Sequence, residues 1–561
     1  MLELRSKQIL GTLTLVAVTA VTLVVAPYVL MDPMALPKLT VLAFLAIVAL
    51  SLIAPALKSV FSSNYKILTI LIALFIFQIV LVMLLSGANI TAQFLGAYQR
   101  QTGALTYISL AILMLSASLV SDSDFLKRFT RITLVVGAIL IVYGNFQFLG
   151  LEPFPYTNAY AVTAPIGTFG NPNFQSAFMG LTAVIFFTMA LNKAFKSSIK
   201  IGLALAGVAS LIVVYETRST QGYLNFVAGL GVVVLLWLFM TKRKSLGLIA
   251  AGFGAVGGIS IFLGLLNAGP LASLLSEASL TARRIYWRTA IKMLAEHPFF
   301  GVGMDQYGNW FSRSRPSDAY ASSYYADAAH NVFLDIASNG GFTLLAIYLA
   351  IVVVVIVSII RVVKRSEGFD VYFAALVGAW VAYQSQSLIS INQIGLAIWG
   401  WVLSGLIIGY EINTRVKDTA QSIPTRGKQQ IKKAKISTKP LSSSAVITLI
   451  AGVLVGALVA SPIYFSNSRF YAAIKANDFK GVESAAYLYP QDQRRLFMLA
   501  GIYRNAKMDA KAVEVLKEST LNYPDSYDMW NLWLTIPTAT PSDIAYAKAQ
   551  LKRLDPFNPD L

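Results

Sequence analysis

Long uncharged apolar stretches separated by short polar connections run along most of the chain, near residues 9–31, 39–57, 67–85, 104–120, 132–151, 174–191, 201–215, 222–240, 246–266, 342–360, 371–390, 394–410 and 444–465. A hydrocarbon core about 30 Å thick needs about 20 apolar residues per helical crossing. The pattern predicts an all-α polytopic membrane protein of about 13 transmembrane helices. The first run is too long, and too poor in small residues at its end, for a cleaved signal peptide. It is expected to stay in place. Composition agrees, since 56% of the residues are hydrophobic and only 13% charged, which excludes a water-soluble enzyme.

Charge then orients the helices. The formal net charge of +18 would suit a nucleic-acid binder, but the positive residues flank apolar runs instead of forming a patch. Alternate connections carry Arg5 and Lys7, Lys58 and Lys66, Lys127 to Arg131, Lys193 to Lys200, Lys242 to Lys244, Arg361 to Arg365, and a cluster from Arg415 to Lys439. By the positive-inside rule these face the cytoplasm. The other short connections hold only Lys38, Arg100 and Arg218. The N-terminus is therefore expected in the cytoplasm, and the long loop 267–330 and the C-terminal tail on the outer face. Lys428, Lys432, Lys433, Lys435 and Lys439 read either as a topology signal touching anionic lipid or as a regulatory or nucleic-acid site, and the first is the simpler.

Beyond the last run the pattern changes to that of a soluble helical repeat. Tyr489-Pro490 and Tyr523-Pro524 stand 34 residues apart, the tetratricopeptide period. Between them Leu496, Leu499, Ala500, Tyr503, Ala512 and Leu516 fall where a helix-turn-helix packs. The expected organisation is a membrane domain over 1–442, a last crossing over 443–465, and a tetratricopeptide-like domain of about two to three repeats over 466–561. That domain would grip a protein or polymer, or else serve as a lid or dimer surface.

Chemistry has few places to sit. Cysteine is absent and histidine occurs only at His297 and His330, and no phosphate-binding loop, nucleophile elbow or zinc motif is present. Three polar segments at outer ends remain. In GTFGNPNFQSAF, from Gly167 to Phe178, Asn171-Pro172 reads as a helix cap, or as an anion site at the helix start together with Asn173. In YETRSTQGY, from Tyr215 to Tyr223, Arg218 reads as a phosphate partner, or as one half of an ion pair with Glu216.

The third segment joins TARRIYWRTAIKMLAEHPFFGVG, Thr281 to Gly303, with AHNVFLDIASNGG, Ala329 to Gly341. If Thr281–Glu296 is helical, Trp287, Ala290, Ile291 and Leu294 form an apolar face while Arg284, Arg288 and Lys292 form a basic stripe. An interfacial amphipathic helix explains that stripe. Arg283 falls on the apolar face and needs another reason. His330 precedes a polar stripe of Asn331, Asp335 and Ser338, and Asn339-Gly340-Gly341 predicts a broken helix lining a cavity. An imidazole with an ordinary pKa of about 6.5 suits proton transfer.

These segments, GTFGNPN, TRSTQG, RRIYW with EHPFFGVG, and HNVFLDIASNGG, resemble in this order the O-antigen ligase and O-antigen polymerase superfamily over roughly 9–410. The resemblance implies a GT-C-like membrane glycosyltransferase. Such an enzyme moves a glycan from a polyprenyl diphosphate to an acceptor hydroxyl on a lipid, a glycan or a protein, with inversion and without nucleotide sugar, metal or other cofactor. It further implies Arg218 and Arg283 on the diphosphate and His330 on the acceptor hydroxyl. Arg284 is the alternative to Arg283, and Arg288, Asn171, Asn173, Asn331 and Asp335 are substrate-binding candidates. The family more often has a Ser-Arg-Gly type sequence where this chain has TRST.

Two other classes fit the gross pattern. A transporter or flippase of lipid-linked glycan would carry charges near the centres of its crossings and weak internal repeats. A non-catalytic envelope scaffold would be indifferent to loss of His330.

Overall fold

The computed structural model describes residues 2–154, 164–272, 278–320, 325–421, 440–559 and 561. Within them the secondary structure is helical, with no strand. Each of the apolar runs lies largely on a helix, although the first helix, Leu4–Leu23, ends eight residues before its run does, and among the described residues ten helices are long and apolar enough to cross a membrane. The runs outside that group are Ala104–Val120 and Val371–Ser387, 17 residues each, and Ser123–Phe148, whose first half carries Lys127, Arg128 and Arg131. The lysine cluster from 428 to 439 lies outside the described residues.

Burial sorts the helices. In Ile394–Arg415, 94% of the most apolar stretch is enclosed by protein, against 6% in Lys244–Leu265. The first is the centre of the bundle and the second faces outward along nearly its whole length. The central helix packs closely because it is small where it meets Ala104–Val120: a Cβ on Gly405 or Gly409 would fall 2.1 Å from the Met114 or Ser118 carbonyl oxygen. Without water to drive association, such close backbone approach is what holds membrane helices together. Trp399 anchors the interior, its ring against Phe129 and Phe178 and its Nε1 donating to Thr22 Oγ1 at 2.8 Å.

The basic connections gather at one end of the bundle. Lys7 pairs with Asp122 at 3.6 Å, Lys242 Nζ donates to the Ser366 carbonyl, and Arg365 holds Glu411 at 2.9 Å. Lys38 is different. It is fully buried on the helix Ala35–Ile53 and donates to the carbonyls of Val21, Thr22 and Val24 at 2.9 to 3.0 Å, supplying donors to the free end of the preceding helix.

At the opposite end the helix Val332–Arg365 is broken at Gly341, whose φ of 78° and ψ of 176° leave the helical region. The freed groups are taken up by the segment before it: Val302 N–H donates to Ser338 O, Gly303 N–H to Asn339 O, and Phe342 N–H to Pro298 O, at 2.9, 3.1 and 2.7 Å. EHPFFGVG and HNVFLDIASNGG are thus two halves of one backbone joint. Non-helical backbone at this depth persists because its polar groups are bonded within the protein.

A single helix, Ser443–Lys475, runs out of the bundle into the C-terminal region, so the expected 465/466 boundary falls inside it. Its last turns pack with Phe479–Ala486, and Gln493–Asn505 with Asp509–Asn522 and Tyr527–Leu534 with Pro541–Leu554 form two further hairpins. Leu496, Leu499, Ala500, Tyr503, Ala512 and Leu516 are all buried between them. The hairpins dock on the end of the bundle opposite the basic connections. Arg315 reaches Asp555 at 3.0 Å and Arg313 reaches Asp525 at 2.9 Å, while Tyr320 stacks on Phe557.

Candidate functional site

The helix Ala278–Glu296 buries Ala282, Trp287, Ala290 and Met293. Ile291, expected on that face, is 55% exposed, because the helix packs over Met293 and Ala290 and so turns Ile291 away. Arg288 points outward and pairs with Asp318 at 2.6 Å, and Lys292 stands 3.9 Å from Glu296. Arg284 is half-buried on the same helix. On the inner side the Tyr286 ring lies 5.2 Å from the His330 ring, and the Tyr286 carbonyl accepts from the Tyr307 hydroxyl at 2.8 Å. Arg283 is one turn before Tyr286, hence on the same face, and its charge acts on His330.

His330 sits in the left-handed backbone region, φ 53°, as do Arg218 at 55° and Asp305 at 57°. Such values are uncommon for residues with a Cβ and persist where surrounding contacts impose them. The His330 Nδ1 lies 3.1 Å from the Ala328 carbonyl oxygen. This geometry assigns the proton to Nδ1 and leaves Nε2 with its lone pair. The ordinary pKa expected for His330 does not hold: burial pulls it down to about 4, and the positive charges of Arg100 and Arg283 add to that against the opposing Asp327 and the Ala328 carbonyl. The imidazole is neutral near pH 7, an acceptor and not a cation.

Sequence reading missed the groups around it. Arg100 grips Asp327 at two points, 2.7 and 2.8 Å. Burial works against charge on Asp327, yet the Arg100 guanidinium and its hydrogen bonds hold it below the usual carboxylate range. Asp305 accepts from the Ala97 and Thr102 N–H groups at 2.7 and 3.1 Å, and burial still pushes it up to about 7. Arg100, Asp305, Asp335, Asn339 and Asn392 line one small cavity. The available signal was Arg100 itself, one of the few cations in an outer connection.

The remaining candidates do local work in addition to any other. Asn331 caps the helix Val332–Arg365, its Oδ1 accepting from Phe333 and Leu334 N–H while its Nδ2 donates to Leu388 O. Asp335 is buried and accepts from Ala329 N–H at 2.6 Å. Asn171 caps Pro172–Ala190 by accepting from Asn173 N–H at 2.9 Å, leaving the Asn173 side chain exposed.

GTFGNPN and TRSTQG adjoin. Ser176 Oγ donates to Ser219 O and accepts from Gly222 N–H, both at 3.0 Å, tying the Arg218 turn to the helix that Asn171 starts. Arg218 is exposed and Glu216 buried. No ion pair joins them among the described residues. Two groups result, Asn171 with Arg218 and Arg283 with His330, Arg100 and Asp327.

Residues 205–349 match the family model of O-antigen ligase. The matched segment contains TRSTQG, RRIYW, EHPFFGVG and HNVFLDIASNGG but not GTFGNPN. It bears out the resemblance to the O-antigen ligase superfamily and supports a glycan-transfer function within a membrane. No curated protein matches the chain.

Proposed function

We propose that the protein transfers a glycan from a polyprenyl-diphosphate carrier to an acceptor hydroxyl at the outer face of a prokaryotic plasma membrane, by an inverting, metal-independent displacement. The N-terminus would then lie in the cytoplasm, as the basic connections at the other end of the bundle favour. The placement of Arg283 one turn before Tyr286 on the helix Ala278–Glu296, with the Tyr286 ring 5.2 Å from that of His330, carries this reading.

In this reaction the acceptor oxygen attacks the anomeric carbon as the bond from that carbon to the diphosphate breaks, and the electron pair leaves with the diphosphate. Arg283, with Arg284 next to it in the chain, is assigned to the charge that develops there, and Arg218, on the separate turn tied to the helix that Asn171 starts, is proposed to reach the same diphosphate. Guanidinium groups already in position stabilise such charge without reorganising. His330 Nε2 accepts the hydrogen bond of the acceptor hydroxyl and takes its proton as the new bond forms. A neutral imidazole with a depressed pKa is a weak base, so it orients the hydroxyl first and gains the proton late, when the departing diphosphate favours a cation beside it.

Purified protein, a polyprenyl-diphosphate glycan and candidate lipid, glycan and peptide acceptors test this. Arg283→Ala or Arg218→Ala should lower transfer by about a hundredfold to a thousandfold, the usual loss for one such donor, and His330→Ala should abolish most of it. Transfer that needs a divalent metal, or that survives all three substitutions, overturns the mechanism.

A further inference from the structure

Between the docked C-terminal hairpins and the outer end of the bundle lies a cleft of about 420 Å³, within the range of about 300–1,000 Å³ usual for ligand sites. One wall comes from the connection before Ala104–Val120 and from Tyr307–Ser314, the other from Gln493–Asn505 and the end of Ser443–Lys475. We propose that this cleft holds the acceptor as a neutral oligosaccharide chain, so that the C-terminal region supplies half of the acceptor site. The inference rests on the glycan-transfer reading above and adds the substrate class and its location.

The lining chemistry supports a hydroxyl-rich ligand. Gln99, Gln101, Asn309 and Gln493 present amides, and Tyr98 and Phe497 present aromatic rings. Amides donate and accept at once and so match vicinal hydroxyls, while ring faces cover the C–H faces of sugars. Gln101 is 3% exposed, and its Oε1 is buried with no hydrogen-bond partner among the described residues. A buried acceptor without a donor is costly, and a ligand hydroxyl in the cleft would relieve that cost.

Charge separates the acceptor from the donor. The cleft is lined by Asp305, Asp327, Asp492 and Asp528 against Arg494 and Arg495. Arg495 is occupied by the Ala485, Leu488 and Pro490 carbonyls, and Arg494 lies over the rings of Tyr98 and Phe497 at 5.3 and 5.1 Å. With Asp327 paired to Arg100 and Asp305 raised to about 7 by burial, the lining is close to charge balance, which suits a neutral glycan and gives a diphosphate little net attraction. Asp305 and Asp327 also join the two regions: both line the cleft, Asp305 lines the inner cavity with Arg100, and Asp327 acts on His330. A chain in the cleft would therefore end at Asp305 and Asp327, the latter three residues before His330 in the sequence.

The test measures binding apart from turnover. Full-length protein in nanodiscs is titrated with neutral oligosaccharides of hexoses and N-acetylhexosamines, with inorganic pyrophosphate and a peptide pool as comparison arms. Binding of one or more neutral glycans is expected, weakened roughly tenfold or more, or 1.4 kcal/mol, by Gln101→Ala and by Phe497→Ala, each with an unchanged melting temperature. In transfer assays the same variants should raise the acceptor KM and leave the donor KM alone. His330→Ala should keep glycan binding while losing transfer. Absence of glycan binding, or binding of peptide or pyrophosphate that these variants weaken instead, overturns the inference even if transfer occurs. Glycan binding without any transfer would instead strike the proposed function.

Discussion

Arg100 and Asp327, 227 residues apart in the chain, meet in a two-point contact, Nε to Oδ2 at 2.8 Å and Nη2 to Oδ1 at 2.7 Å. The pair links the connection before the helix Ala104–Val120 to the loop that ends at His330. It fixes that loop three residues before His330, whose ring meets that of Tyr286.

Asp327→Asn should therefore cost about 1.5–3 kcal/mol, the scale of a charged hydrogen bond, read as a lower melting temperature. Arg100→Lys should not restore stability, because an ammonium lacks the planar fork that meets both carboxylate oxygens. An Asp327→Asn protein as stable as the parent would show that the loop is held by other contacts.

Gly341 is a second fixed point. At φ 78° and ψ 176°, a region open essentially to glycine, its Cβ would also lie 2.5 Å from the Phe299 carbonyl carbon and oxygen. Gly341→Ala should lose more than about 3 kcal/mol, seen as poor recovery of folded protein in detergent. Gly258→Ala on the outward-facing helix, where a Cβ meets nothing within 4 Å, is the control and should fold normally.

Two buried groups give opposite pH dependences. His330, lowered to about 4 by burial and then by Arg100 and Arg283, contributes stability present above its unfolded pKa of about 6.5 and lost as pH falls toward 4. Asp305, raised to about 7 by burial, contributes stability present below its unfolded pKa of about 3.9 and lost as pH rises through 7. His330→Gln should flatten the acid side of a melting-temperature profile and Asp305→Asn the neutral side. Unchanged profiles in both variants would refute these assignments.

Docking of the C-terminal hairpins should depend on Arg315 and Asp555, each 9% exposed. Removing one partner of an enclosed pair leaves the other charge without compensation, at about 3–5 kcal/mol. Arg315→Ala should raise amide exchange and protease cleavage at the ends of the C-terminal helices while Ile394–Gln421 stays protected. Equal exchange in variant and parent would mean that the stacked Tyr320 and Phe557 rings suffice.

Much of this molecule was legible along the chain. The apolar runs became helices because lipid leaves a backbone no other way to bond its polar groups than within the segment, which makes crossing a local property. Asn171 as a cap, the break at Asn339-Gly340-Gly341 and Arg283 as the misplaced charge on its helix were equally local, each visible within a few residues. The tertiary structure alone decided what those residues face. Periodicity gives no sign that Arg100 will meet Asp327, that EHPFFGVG will bond the open turn at Gly341, or that Ile291 will turn outward. Nor can an isolated His330 reveal its depressed pKa, since burial and the charges of Arg100 and Arg283 exist only once distant segments have come together.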